Sequence, residues 1–273
     1  MKKEIILPAV AWLGGIAGFA LRAWELATAY DPQMHLMQDG PVTWLLYALE
    51  AALVLGFAVA CRGMNRKGRD PRQWMYAPHS GYISVIVCAA FVLMASALVG
   101  VWQQSGLFFK DKLFLCSYVL SLLGGVCLLL AGQSVYRGIW TKHTPLTFMG
   151  PSLCTLVWAV AGYQSNARQP ETGLFMWQVL SGVAVVLAIY GMVTLAVGKG
   201  GARRTCVFNL AGISLSLTAL ADGYDVAYVL MIVFALLTMT AQSWMLLRSA
   251  YGEPWSDRMP QGADEDEQTQ TEE

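Results

Sequence analysis

Long stretches without a charged residue constrain this chain more than any other feature. Segments such as 113–135 and 226–247 carry no Asp, Glu, Lys or Arg, while the charges cluster between such runs and at the C-terminus. Charged residues make up 13% of the chain, against roughly 25% in soluble domains. About 20 apolar residues in a helix cross the hydrocarbon core of a bilayer. We therefore predict an all-α fold, a polytopic transmembrane helical bundle.

The apolar pattern predicts eight transmembrane spans. Their expected limits are 5–29, 41–61, 81–102, 113–135, 147–163, 174–197, 205–221 and 225–247. The first span follows a basic start, as in a secretory signal, but it lacks a small-residue cleavage site and is long enough to cross the membrane. We therefore expect it to be retained as the first helix.

The distribution of Lys and Arg predicts the orientation. With the N-terminus inside, 14 of the 18 basic residues fall on the inner side, and Lys110, Lys112, Arg168 and Arg22 fall on the outer side. Cytoplasmic loops of membrane proteins carry such an excess of Lys and Arg. We expect both termini to be cytoplasmic, in the cytoplasmic membrane of a bacterium.

Two pairs of similar segments indicate an internal repeat. The segment 27–36 (ATAYDPQMHL) after the first span resembles 165–174 (SNARQPETGL) after the fifth, with Pro32 aligned to Pro170. At the other end of each half, 131–138 and 240–252 both place Gln-Ser ahead of an arginine. We predict two parallel four-helix repeats, 1–143 and 144–252, because an even number of spans per repeat preserves its direction.

The C-terminal segment 253–273 differs from the rest of the chain. It has few apolar residues and many acids. Such a composition does not bury enough surface to offset the entropy of ordering. We predict a disordered acidic cytoplasmic tail.

The sequence contains no motif of a known enzyme, metal or nucleotide site. The six cysteines are scattered, no C-x-x-C is present, and the three histidines share no helix face. We expect no cofactor, no bound metal and no nucleic-acid partner. The G-x-x-x-G step of Gly14 and Gly18, and the pair of Ser121 and Gly125, instead favour close packing of helices within the protein.

Charged residues inside the spans are the strongest functional signal. Glu50 lies near the middle of the second span, and a carboxylate at that depth is costly unless it is paired, protonated or hydrated. Arg22 lies roughly 7 to 8 Å outward of the middle of the first span by helical rise. Glu25 lies one turn further out on the same face. We predict a pair of Arg22 with Glu50 or with Glu25, facing the interior of the bundle.

Two interpretations of this pair stay open. It is either a salt bridge that fixes the packing of two helices, or a substrate or proton site in which Glu50 accepts the proton and Arg22 tunes it or binds an anion. The second half has no matching charge, and offers the polar residues Gln164, Asn166, Gln178 and Asn209.

Further polar groups are expected at the external ends of the helices. They are Asp31, Asp39, Arg168, Glu171, Asp222 and Asp225. We interpret them as solvated helix ends around an external mouth. Pro32 and Pro170 are expected to stop the preceding helices.

These features favour two functions equally. The first is a small-solute transporter or permease with its site between the halves, near Arg22, Glu25 and Glu50. The alternative is a non-catalytic accessory or scaffold subunit that binds a membrane protein partner. An enzyme is less favoured, since no nucleophile–base or metal constellation is visible. The lipid bilayer is the one partner that all of these share.

Overall fold

Eight long α-helices make up most of the described part of this protein, for which the structure is a computed structural model. The structure describes residues 3–31, 36–37, 40–67, 71–103, 112–166 and 176–252. The helices are α1 (Lys3–Ala29), α2 (Pro41–Ala60), α3 (Ser80–Gln103), α4 (Lys112–Arg137), α5 (Thr144–Asn166), α6 (Met176–Ala196), α7 (Ala202–Ala219) and α8 (Val226–Tyr251).

Short elements join some of these helices. Two-residue strands, β1 (Tyr30–Asp31) and β2 (Leu36–Met37), pair antiparallel between α1 and α2. Short 3-10 helices occupy Cys61–Lys67 and Pro71–Met75 after α2, and Leu220–Asp222 after α7.

The eight predicted spans are confirmed, with differences at some of their ends. Helix α5 begins at Thr144 rather than at 147, because a proline such as Pro145 fits the first turn of a helix. Helix α7 begins at Ala202 rather than at 205 and includes Arg203, whose Nη2 donates a hydrogen bond to the carbonyl of Ala58 at 3.2 Å. Charged residues were therefore a poor marker of where a helix ends, since long side chains extend away from the helix to polar partners.

The surface of the bundle supports a multi-pass membrane protein. All eight helices are long and apolar enough to cross a membrane. Large apolar side chains such as Leu13, Leu55, Leu98 and Leu123 are more than half exposed. Apolar surface on this scale is rare on monomeric soluble proteins, but it is the surface that lipid chains contact.

Six of the helices close into a ring. Each helix from α3 to α8 packs against the next one along the chain, and α8 packs against α3. Helix α1 lies against α7 and α8, and α2 lies against α1 and α7. Helices α7 and α8 are therefore surrounded on most sides, and they are the most deeply buried spans. The division into two repeats, 1–143 and 144–252, stays a prediction.

Glycines allow close approach between helices, as the sequence predicted for Gly14 and Gly18. A Cβ on Gly18 would collide with Thr218 of α7, and one on Gly14 would lie within 2.6 Å of the Leu53 side chain of α2. Gly125 of α4 packs against Met94 and the carbonyl of Ala90 in α3. These small residues thus mediate contacts inside the chain.

Several predictions fall outside the described residues. They are the disordered tail 253–273, the two proline-containing linkers around Pro32 and Pro170, and the outer groups Asp39, Arg168 and Glu171.

Candidate functional site

A buried arginine lies at the centre of the first polar cluster. The Arg22 side chain is 1% exposed. Its Nη1 lies 2.7 Å from Oε2 of Glu25, three residues further along α1, and its Nε lies 2.7 Å from Oδ1 of Asp222. Charge-assisted contacts of this length are strong, and an arginine taken out of water requires them. We call Arg22, Glu25 and Asp222 the Arg22 network.

The turn between α7 and α8 places Asp222 in the Arg22 network. The 3-10 helix Leu220–Asp222 ends at Gly223, whose φ of 74° is the left-handed conformation that glycine adopts without strain. The chain then reverses into α8. Tyr224, in the same turn, donates a hydrogen bond from its hydroxyl to Oδ2 of Asp222 at 2.9 Å. Burial and the neighbouring Asp222 carboxylate raise the pKa of Tyr224, so this hydroxyl keeps its proton.

The structure decides between the two pairs predicted for Arg22. The pair with Glu25 is formed, inside the bundle as predicted. Glu50 instead takes its hydrogen bonds from α7. The interpretation of Asp222 as a solvated helix end is wrong, because its side chain is 5% exposed and bound to Arg22. A partner 200 residues away cannot be identified from helical spacing, which relates only neighbours on one helix.

Glu50 forms a second polar cluster between α2 and α7. Its Oε1 accepts a hydrogen bond from the Thr218 hydroxyl at 2.7 Å, and its Oε2 accepts one from the Ser214 hydroxyl at 3.0 Å. Gly18 of α1 packs against both Thr218 and Oε1 of Glu50. Within the described part of the chain, Glu50 has no ion-pair partner. Hydroxyls both donate and accept, so this environment holds a carboxyl group in either protonation state.

A cavity of about 160 Å³ opens within the ring of helices, beside the Arg22 network. We call it the outer cavity, after the side of the membrane on which the sequence predicts this end of the bundle to lie. Five aromatic side chains line it, together with the polar side chains of Gln103, Gln178, Ser117, Ser121 and Asp225. The aromatic residues are Phe114, Tyr118, Trp158, Tyr224 and Tyr228.

The aromatic side chains are positioned by contacts with one another and with glycines. The rings of Tyr224 and Tyr228 lie 4.3 Å apart between centroids, and those of Trp158 and Tyr228 lie 4.7 Å apart. Tyr118 of α4 packs directly against Gly100 of α3, where any side chain would displace the ring. The outer cavity is thus bounded by side chains that are already packed before a ligand arrives.

Tyr224 connects the outer cavity to the Arg22 network. Its ring forms part of the cavity wall, while its hydroxyl holds Asp222. Arg22, Glu25 and Glu50, the predicted site residues, do not themselves line this cavity. The Arg22 network lies behind the wall and fixes the position of one of its rings.

An apolar groove borders the outer cavity on the side of α5 and α6. It has a volume of about 280 Å³ and is lined mainly by aliphatic residues of these two helices, such as Leu156, Val183 and Leu187. Gln178 and Tyr228 line both the groove and the outer cavity. We call it the apolar groove.

Sequence reasoning missed several residues of these clusters, although the sequence held signals for some of them. Ser214, Ser216 and Thr218 stand at every second position in α7, which is unusually polar for a buried helix. Tyr224 and Tyr228 flank the predicted start of the eighth span, where aromatic side chains are common at a membrane interface. Gln178, noted for its polarity, does line the outer cavity.

The described residues contain no group of three or more His, Cys, Asp or Glu that could hold a metal ion. The thiols of Cys61 and Cys206 approach within 3.8 Å, between the end of α2 and α7. Comparison with models of protein families, with curated proteins and with solved structures gives no match.

Proposed function

We propose that this protein is a small-solute transporter or permease whose solute site is the outer cavity. The observation that carries the proposal is a polar and aromatic cavity inside a bundle of apolar helices, with one wall held by a buried ion-pair network. Charged and polar side chains within spanning segments are costly in lipid, so they face the bundle interior or a cavity, where they mark solute or ion pathways.

The residues have separate roles in this proposal. The outer cavity contacts the solute through Gln103, Gln178 and Asp225. Arg22 and Glu25 act as positioning residues, because they fix Asp222 and through it the ring of Tyr224. Glu50 is the candidate proton acceptor, since it is a buried carboxylate held by hydroxyls alone. The orientation with both termini inside and the location in a bacterial cytoplasmic membrane belong to the same proposal.

A transporter must expose its site to each side of the membrane in turn, and cysteine labelling measures this. The six native cysteines are first replaced, and a variant with unchanged thermal unfolding is used. Ser117→Cys then places one thiol in the wall of the outer cavity. We expect a charged, membrane-impermeant thiol reagent to react with it from either face of oriented proteoliposomes.

The matched control is Leu123→Cys on the same helix. Leu123 is 58% exposed on the outer surface of the bundle, where lipid excludes a charged reagent, so it should not react from either face. Reaction of Ser117→Cys from a single face would overturn the transport proposal.

The second candidate is an accessory or scaffold subunit, and one observation favours it. Arg22 and both of its carboxylate partners are satisfied within the chain, as a purely structural salt bridge requires. This function predicts labelling from one face only, together with a protein partner that co-purifies in a fixed ratio and is lost when 253–273 is deleted.

A further inference from the structure

We infer that the outer cavity binds a small organic cation, of the quaternary or alkylated ammonium class. The inference rests on the proposed function in using the same cavity, but it requires only that the ligand binds. It starts from the two kinds of group that line the cavity. These are the faces and edges of five aromatic rings, and a single carboxylate, Asp225.

The aromatic lining favours a cation over a neutral solute. The face of a Trp or Tyr ring carries negative electrostatic potential and attracts an ammonium group within about 6 Å of its centroid. Trp158, Tyr224 and Tyr228 form one continuous group of packed rings in the wall, and Phe114 and Tyr118 add rings from α4. Clusters of this kind bind alkylated ammonium groups elsewhere, because such ions are bulky and weakly hydrated.

Asp225 supplies a charge that no other described group uses. It is the residue that precedes α8, yet it makes no side-chain capping hydrogen bond there. Its side chain is exposed and borders the cavity. Asp222, three residues earlier, is by contrast bound to Arg22. A positively charged ligand therefore finds an available carboxylate at the mouth of the cavity.

The N-terminus of α8 lies at this cavity, but it does not make the cavity a binding site for anions. A helix N-terminus carries about half a positive charge on its free amides. The backbone amide of Ala227 is already directed to Oε1 of Gln103, at 3.4 Å. Asp225 sets a full negative charge at the same end of the helix. Among the described residues that line the cavity, the one charge is therefore the negative charge of Asp225, which attracts a cation.

The volume of the cavity limits the size of the ligand. A cavity of roughly 150 Å³ in a protein core accommodates a benzene molecule. The outer cavity, at about 160 Å³, is matched to a ligand of similar size, such as an ammonium ion with three or four small alkyl groups.

Binding of choline and of its uncharged analogue 3,3-dimethylbutan-1-ol tests the inference. The two molecules have nearly the same shape and differ in the charge of one atom. Titration calorimetry of the purified full-length protein in detergent should show choline binding at least tenfold more tightly, as cation–π and carboxylate contacts of about 1.4 kcal/mol or more require. Equal affinities, or no choline binding at millimolar concentration, would overturn the inference.

Substitutions then locate the site. Asp225→Asn should weaken choline binding by about tenfold and leave the neutral analogue unchanged, while Asp225→Glu should restore most of the affinity. Asp225 is exposed, so neither change threatens folding. Trp158→Leu should also weaken choline binding, whereas Trp102→Leu should not, because Trp102 is 78% exposed on the outer surface of α3. Unchanged choline affinity in Asp225→Asn would place the ligand elsewhere and overturn the assignment.

These outcomes are separate from those of the labelling experiment. Choline binding with labelling from one face would leave a cation-binding protein that does not transport. Labelling from both faces without choline binding would leave a transporter of another solute class.

Discussion

Asp222 and Asp225 stand three residues apart in one turn, yet the structure uses them in opposite ways. The Asp222 side chain is 5% exposed and is held by Arg22 and by the Tyr224 hydroxyl. Asp225 is exposed, makes no side-chain cap for α8 and borders the outer cavity. The two residues have the same side chain and nearly the same position in the chain. Burial and existing partners therefore make Asp222 structural, while exposure leaves Asp225 available to a ligand.

Gly223 makes this division possible. Its left-handed conformation reverses the chain between the two residues. Asp222 can therefore face α1 while Asp225 faces the ring of helices. A short turn thus supplies one carboxylate to hold the bundle together and a second to the cavity.

Removing each carboxylate in turn should give the largest contrast. Asp222→Ala leaves Arg22 buried with Glu25 as its remaining described carboxylate, and should lower the free energy of unfolding by about 3 kcal/mol. Asp225→Ala should change it by less than about 0.5 kcal/mol. Thermal unfolding in detergent micelles measures both variants. Equal losses would show that the two residues do not differ as the structure indicates.

Glu50 is a third kind of carboxylate, because it is buried like Asp222 but is held by the hydroxyls of Ser214 and Thr218. Gly18→Ala should lower the free energy of unfolding by about 2 kcal/mol, because the added methyl group collides with Thr218 and crowds Glu50. Gly56→Ala is the matched control in α2, with open space around the position, and should be neutral or stabilising by about 0.5 kcal/mol. Thermal unfolding measures both variants. Similar melting temperatures for Gly18→Ala and Gly56→Ala would contradict the packing described for Gly18.

Tyr224 contacts both the Arg22 network and the outer cavity, and Tyr224→Phe removes its hydroxyl while keeping its ring. Tyr224→Phe should lower the free energy of unfolding by about 1.5 kcal/mol, the lower end of the range for a hydrogen bond to a charged group. Choline affinity should fall by no more than about threefold, because the ring loses its hydrogen bond to Asp222 but stays packed against Tyr228. Tyr190→Phe, at an exposed position of α6, should alter neither quantity. A large loss of choline affinity in Tyr224→Phe would instead assign the hydroxyl to the ligand.

The sequence predicted the eight helices and, as one of two alternatives for Arg22, the pair with Glu25, because both depend on local spacing. Apolar runs of sufficient length define the helices, and residues three apart on one helix are neighbours whatever the rest of the chain does. The partners of Arg22 and Glu50 on the other side of the bundle, Asp222 and Thr218, required knowledge of which helices pack together. Apolar helices in lipid carry little pattern that specifies their neighbours, so these contacts were not predictable from one sequence.

The outer cavity shows the same limit. Its lining comes from α3, α4, α5, α6 and α8 and from the turn before α8, and no two of these elements contribute a motif that is recognisable by itself. Tyr224 lies in the turn before α8 and Tyr228 lies in its first turn, and their spacing in the sequence does not show that both line a cavity. Asp225 was noted as polar, although nothing in the sequence distinguished it from Asp222.

Gln178 and Tyr228, which line both the outer cavity and the apolar groove, make the surrounding membrane a participant in binding. An acyl chain that entered the groove would contact the same two side chains as a ligand bound in the cavity. We therefore expect choline affinity to change with the length and saturation of the acyl chains around the protein. Affinities measured in a short-chain detergent and in a native-like bilayer should therefore differ, because Gln178 and Tyr228 contact different hydrocarbon chains in the two.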